Sequence, residues 1–151
     1  MGMPGSLPTW ILLVHVAVTC AVTGLIWLVQ VVNYPLFAAV GSAAFPAYHR
    51  EHIRLITLVV GPLMLAEAGA AVAIVALRLC SPWLSCAGLA LLVIVWGATW
   101  LLSVPQHDAL AHGFSASAHE ALVATNWIRT VAWTTRAGLA LAMVADAMGR
   151  S

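Results

Sequence analysis

Four apolar runs, each about as long as a bilayer is thick, constrain this chain more than any other feature. They extend from Trp10 to Val32, Ile53 to Leu79, Trp83 to Val104 and about Ala121 to Met148; a helix needs ~20 such residues to span a bilayer. Charge is correspondingly scarce. Six Arg, no Lys and five acids make up 7% of the 151 residues, where a soluble domain carries about 25%. So few charges cannot coat a water-exposed surface, so the expected solvent is lipid. Runs of this length favour helices, because a closed barrel needs short alternating strands. The predicted fold class is all-α: a four-helix transmembrane bundle, antiparallel up-down-up-down, formed by residues 1–151 as a single integral membrane domain. The bilayer is then the first partner. A net charge of +1 gives no electrostatic case for a nucleic-acid partner, while a homo-oligomer is compatible with everything above.

The connections differ in character. Ser81-Pro82 joins the second and third runs tightly, which predicts an antiparallel helix pair. The segment from Asn33 to Arg50, NYPLFAAVGSAAFPAYHR, stays apolar and is expected to lie at the interface or to fold back into the membrane. The segment from Gln106 to Ala118 is polar, and Ser117 is the expected N-cap of the fourth helix. Pro62 is expected to kink the second helix and Pro105 to close the third. The first run is too long for a signal-peptide core and is preceded by no Lys or Arg, so it is read as a retained span. No internal repeat is visible. Cys20 reads as a core residue; Cys80 and Cys86 flank a loop and are expected to be free thiols.

With four spans, the two histidine-bearing connections fall on the same side. His49, His52, His107, His112 and His119 therefore gather near one membrane face. Arginine counts on the two sides tie; if Arg50 and Arg54 serve a site, the histidine face is extracytoplasmic in a multi-pass protein of the cell membrane.

Charges at membrane depth carry the strongest chemical signal. Glu67 stands in the middle of the second run, and Arg129 and Arg136 within the fourth. A charge at the bilayer centre costs about 2.5–3.5 kcal/mol on insertion scales, so these residues must face inward and find partners. Glu67 with Arg136 or Arg129 is either glue for the bundle or part of a function. On the fourth helix Asn126, Arg129, Thr130, Trp133 and Arg136 recur at spacings of three and four and share one face. Lipid offers that face nothing, so it must look into the bundle.

The histidines offer a second signal. His49 and His52 share a face of a helix, a spacing that suits two ligands of one Fe, Cu or Zn ion. With His107 and His119 they form a candidate metal set, Glu51, Asp108 and Glu120 being nearby carboxylates. The plainer reading is a polar cap on the bundle. His15 is alone in the first run, so a haem held by histidines at matching depth is disfavoured.

The segments VVNYPLF, FPAYHREH, SVPQHDAL and NWIR resemble those of small four-helix bacterial membrane proteins. They are distantly similar to the anthrone-oxygenase-like family, where a helix-end V-P-x-N-x-x-L and a later N-x-x-R recur. Asn126 and Arg129 match the N-x-x-R; His107 stands where that family usually has Asn. The resemblance implies oxygen chemistry on an aromatic or polyketide-like substrate.

Three functions follow as expectations. The first is a metal-dependent membrane oxidoreductase acting on a small hydrophobic substrate, with His49, His52, His107 and His119 at a metal and Asn126, Arg129, His112 and Glu67 as catalytic groups. The second is a transporter or conduit for a small molecule, metal or protons, with Glu67, Arg136 and His15 continuing a polar path inward. The third is a non-catalytic scaffold or assembly subunit.

Overall fold

The computed structural model describes residues 7–150. Every regular element among them is helical. Helix α1 (Leu7–Leu28) runs without a break into a π-turn (Val29–Asn33), a single helical turn α2 (Tyr34–Leu36) and a 3-10 turn (Phe37–Ala39). Helix α3 (Phe45–Ala76) follows after a short bend. Helix α4 (Pro82–Ala98) leads through a second π-turn (Thr99–Ser103) into α5 (Val104–Ala111), and α6 (Ala116–Gly149) completes the described chain.

Three stretches, Leu7–Ala39, Phe45–Ala76 and Pro82–Ala111, are long and apolar enough to cross a membrane, with mean hydropathies of 2.3, 2.1 and 2.1. Only 28%, 22% and 28% of their most apolar windows are buried against other helices. Most of their apolar surface therefore faces outward, where only an apolar phase satisfies it. The fourth run is the 34-residue α6. It is more polar than the others because it carries the stripe expected from the sequence, and Asn126, Arg129, Thr130, Trp133 and Arg136 are all buried.

The helical stretches run further than the apolar runs suggest. Asn33–Arg50 holds no long loop, since α1 continues to Ala39 and α3 begins at Phe45. Pro105 does not close the third helix. It sits in the first turn of α5, where its missing N–H is not needed. Ahead of it the chain widens: Val104 N–H bonds to Thr99 O, five residues back, and in the same way Tyr34 N–H bonds to Val29 O ahead of Pro35. A proline ring clashes with the carbonyl four residues earlier, and the wider turn gives that carbonyl room. α3, by contrast, runs through Pro62 as one helix. The N-cap of α6 is Ser115, not Ser117; its hydroxyl accepts from Ala118 N–H at 3.4 Å.

The two halves of the chain share one order of elements: a helix, a π-turn, a proline-bearing turn, then a long helix. The π-turns begin at Val29 and Thr99, and the prolines after them are Pro35 and Pro105, an offset of 70 residues in both cases. Backbone geometry thus carries a repeat of which the prolines are the main trace in sequence.

α1 packs on α3 and α6, and α4 packs on α6 and α3. Glu67, fully buried, ties these helices together. Its Oε1 accepts from Arg136 Nε at 2.9 Å and from Thr19 Oγ1 at 3.1 Å, and its Oε2 accepts from Trp133 Nε1 at 3.0 Å. Arg136 also donates through Nη1 to the carbonyl of Gly88. α1, α3, α4 and α6 thus meet at one ion pair. At the end holding the α3–α4 loop, Ser81 donates to Asp146 of α6 through its backbone N–H at 2.7 Å and through its hydroxyl. Cys20, Cys80 and Cys86 are all free thiols, and Cys20 lies on the outward face of α1 rather than in the core.

A buried charge stripped of its partner costs about 3–5 kcal/mol, while replacing both partners by apolar residues is often neutral. Glu67→Ala and Arg136→Leu are therefore each expected to destabilise by that amount. The double variant Glu67→Leu/Arg136→Leu is expected to recover most of the loss, as read by thermal unfolding in detergent.

Candidate functional site

Around the two π-turns the helices part and leave a cavity of about 290 Å³. α1 contributes Val22, Leu25 and Ile26, with Val29 from the π-turn after it. α3 contributes Ile53, Ile56, Thr57, Val60, Gly61 and Met64. The second π-turn and α5 contribute Thr99, Trp100, Ser103, Val104, His107 and Asp108, and α6 contributes Arg129 and Trp133. Tyr34 completes the lining. Most of the wall is apolar; His107, Tyr34, Ser103 and Arg129 gather polar groups on it. Thr57, Trp100 and Asp108 are exposed as well as lining, so the cavity reaches the outer surface between α3 and the second π-turn.

Three groups form a hydrogen-bonded chain beside the cavity. His49 Nε2 and His107 Nδ1 stand 3.1 Å apart, and His107 Nε2 and the Tyr34 hydroxyl 3.0 Å apart. Both ring nitrogens of His107 are thus engaged, one toward each neighbour, as in a proton relay. His119 holds the relay from behind by donating from Nε2 to the Tyr34 carbonyl at 2.8 Å. Fully buried Phe37 is the packing centre. Its ring meets those of Tyr34, Phe45, Tyr48, His49, His52 and His119 at centroid distances of 4.9 to 6.5 Å.

The stripe of α6 lies beside this group. Arg129 is 7% exposed, donates through Nη1 to Ser103 Oγ at 3.1 Å, and has its guanidinium 5.3 Å from the Trp133 ring centroid. It faces the Tyr34 hydroxyl as well. Its Nε has no hydrogen-bond partner, and among the described residues no carboxylate pairs with it. Asn126 donates to Gln30 Oε1 at 2.8 Å, and Gln30 donates to the Val123 carbonyl at 3.2 Å. That chain binds α6 to the first π-turn.

The sequence-derived site residues are thus brought together only in part. His49 and His107 touch, and Arg129 shares the cavity with His107. His52 packs against Phe37 and lies 6.4 Å from His107 by ring centroids. Among the described residues, no group of three or more His, Cys, Asp or Glu converges as a metal site. His112 is exposed at the C-cap of α5, outside the cluster, because α5 ends there and turns its side chain outward. Glu67 does not line the cavity and is spent on Arg136, Trp133 and Thr19. Asn126 is likewise engaged with Gln30 rather than open to the cavity. Tyr34, Phe37 and Ser103 belong to this group without standing out in the sequence; the aromatic residues of NYPLF are a signal hidden in a segment that reads as a connection. Models of known protein families, curated proteins and solved structures contain no match to this chain.

Two substitutions separate the engaged residues from the bystander. Asn126→Leu leaves the Gln30 amide short of a partner in the interior and is expected to cost about 1–3 kcal/mol. His112→Ala, at an exposed position, is expected to change stability by no more than about 0.5 kcal/mol. Thermal unfolding of both variants against the parent reads the difference.

Proposed function

We propose that this is an integral membrane protein whose four long helices form an antiparallel bundle, and that it binds and chemically transforms a small lipophilic molecule in the cavity. The bundle reading is supported by the hydrogen bonds to α6 from α1 and the π-turn that continues it, in which Thr23 reaches Trp133 and Gln30 reaches Val123: residue numbers rise along one stretch as they fall along the other. The observation that carries the function is the cavity itself. It lies at the lower end of the ~300–1,000 Å³ range of small-molecule pockets and pairs apolar walls with a few convergent polar groups. Its opening lies between helices rather than at their ends, so substrate would arrive from lipid. His49, His107 and Tyr34 would move the proton, and Arg129 would steady negative charge on oxygen. Oxidoreduction on a hydrophobic substrate is the reaction class that the resemblance to the anthrone-oxygenase-like family favours. The histidine face would be extracytoplasmic if the arginines near it serve the site.

One observation favours a metal-dependent form of this reading. The rings of His49 and His52 pack 5.3 and 6.4 Å from that of His107. Imidazoles so placed suit Fe, Cu or Zn, provided His52 swings toward the other two. His119 leaves the set because the Tyr34 carbonyl engages it. A stoichiometric metal lost in His107→Ala supports this form, and a metal content unchanged by His49→Ala and His107→Ala removes it. A conduit is less favoured, since Glu67, which would continue the path, is fully buried and held by three side chains.

The cavity can be blocked without disturbing its neighbours. Gly61 lines it, and a Cβ there meets nothing within 4 Å. Gly61→Phe is therefore expected to leave thermal stability intact and to abolish the saturable component of tryptophan quenching by a small brominated aromatic, while contact quenching of Trp100 and the other exposed tryptophans persists. Undiminished saturable quenching in Gly61→Phe would count against the cavity as the binding site.

A further inference from the structure

The charges inside the helices do not balance. Glu67 and Arg136 neutralise each other. Arg129 is nine-tenths buried, yet no carboxylate of the described residues pairs with it. Neutral groups alone attend its guanidinium: the Ser103 hydroxyl, the Tyr34 hydroxyl and the face of Trp133. Asp108 lines the same cavity from an exposed position and makes no ion pair with it. Nε carries a proton with no acceptor. A buried guanidinium is costly unless paired, and its planar fork matches a carboxylate in particular.

We propose that the cavity's natural ligand is a small lipophilic carboxylate whose headgroup pairs with Arg129 while its apolar body lies against Val22, Ile26, Val60 and Met64. The proposal rests on the cavity being a binding site for lipophilic molecules. The ligand completes the electrostatics of the interior: it brings the negative charge that Arg129 lacks and leaves the Glu67–Arg136 pair undisturbed. Trp100 and Trp133 line the space, so occupancy adds a saturable component to the quenching of tryptophan emission.

The test uses the purified full chain in detergent and two probes of matched body, 4-bromobenzoate and 4-bromobenzyl alcohol, titrated as quenchers at measured free concentration. The benzoate is expected to bind about tenfold or more tighter than the alcohol, as a charge-assisted hydrogen bond supplies. That advantage is expected to vanish in Arg129→Gln. If Arg129→Gln does not fold, Arg129→Lys replaces it, where charge without the fork is expected to reduce the advantage several-fold; an advantage unchanged in the variant used overturns the assignment to Arg129. Alcohol binding as tightly as benzoate in the unaltered protein overturns the carboxylate while the cavity remains a lipophile site. Saturable quenching by neither probe overturns both readings.

Discussion

Glu67 and Arg136 set the terms for everything around them. Two full charges in an apolar interior are tolerable when each meets the other and most of their spare hydrogen-bonding positions meet further partners. Thr19, Trp133 and the Gly88 carbonyl are those partners, and they come from α1, α6 and α4 while Glu67 itself comes from α3; Arg136 Nη2 alone is left without one. Moving any one of these helices along its axis would break at least one of these bonds. The pair therefore fixes how far each helix is inserted relative to the others. Apolar side chains alone specify this poorly, since one leucine replaces another along a greasy surface.

With register fixed at that level, the space above it becomes available for another use. The cavity begins one helical turn from the pair, where Met64 and Trp133 still belong to the packed core. Trp133 serves both regions: its indole N–H satisfies Glu67, and its ring carries the Arg129 guanidinium. Further along, the relay of His49, His107 and Tyr34 is clamped by Phe37 and His119. A packed lower half and an open, polar-tipped upper half thus follow from where the charges meet.

Much of this was legible in the sequence wherever surroundings of low polarity force polar groups inward. The stripe Asn126, Arg129, Thr130, Trp133 and Arg136 declared its face by spacing alone. Glu67 announced that it needs a cation, and the structure selects Arg136 over Arg129. What stayed illegible depends on backbone geometry or on the exact placing of helix ends. Tyr34 and Phe37 lay hidden in a segment that reads as a connection, because Pro35 looks like a helix stop when it is a helix start after a widened turn. His112 and His107 stand five residues apart in one polar stretch, and only the end of α5 separates the relay member from the exposed bystander. The repeat of the two halves left little trace in side chains beyond Pro35 and Pro105, because a π-turn is a pattern of hydrogen bonds and not of residue types.

Those two π-turns have a consequence for how such a site can arise. Each holds one residue more than an α-helical turn of the same rise would, and one residue corresponds to a rotation of about 100° around a helix. Each wider turn absorbs that rotation, and Tyr34 and His107 lie just downstream. A residue absorbed in this way leaves the packing of the helix beyond it in place and parts the backbone only locally. Room for a pocket can thus open at the turn without repacking the rest of the helix.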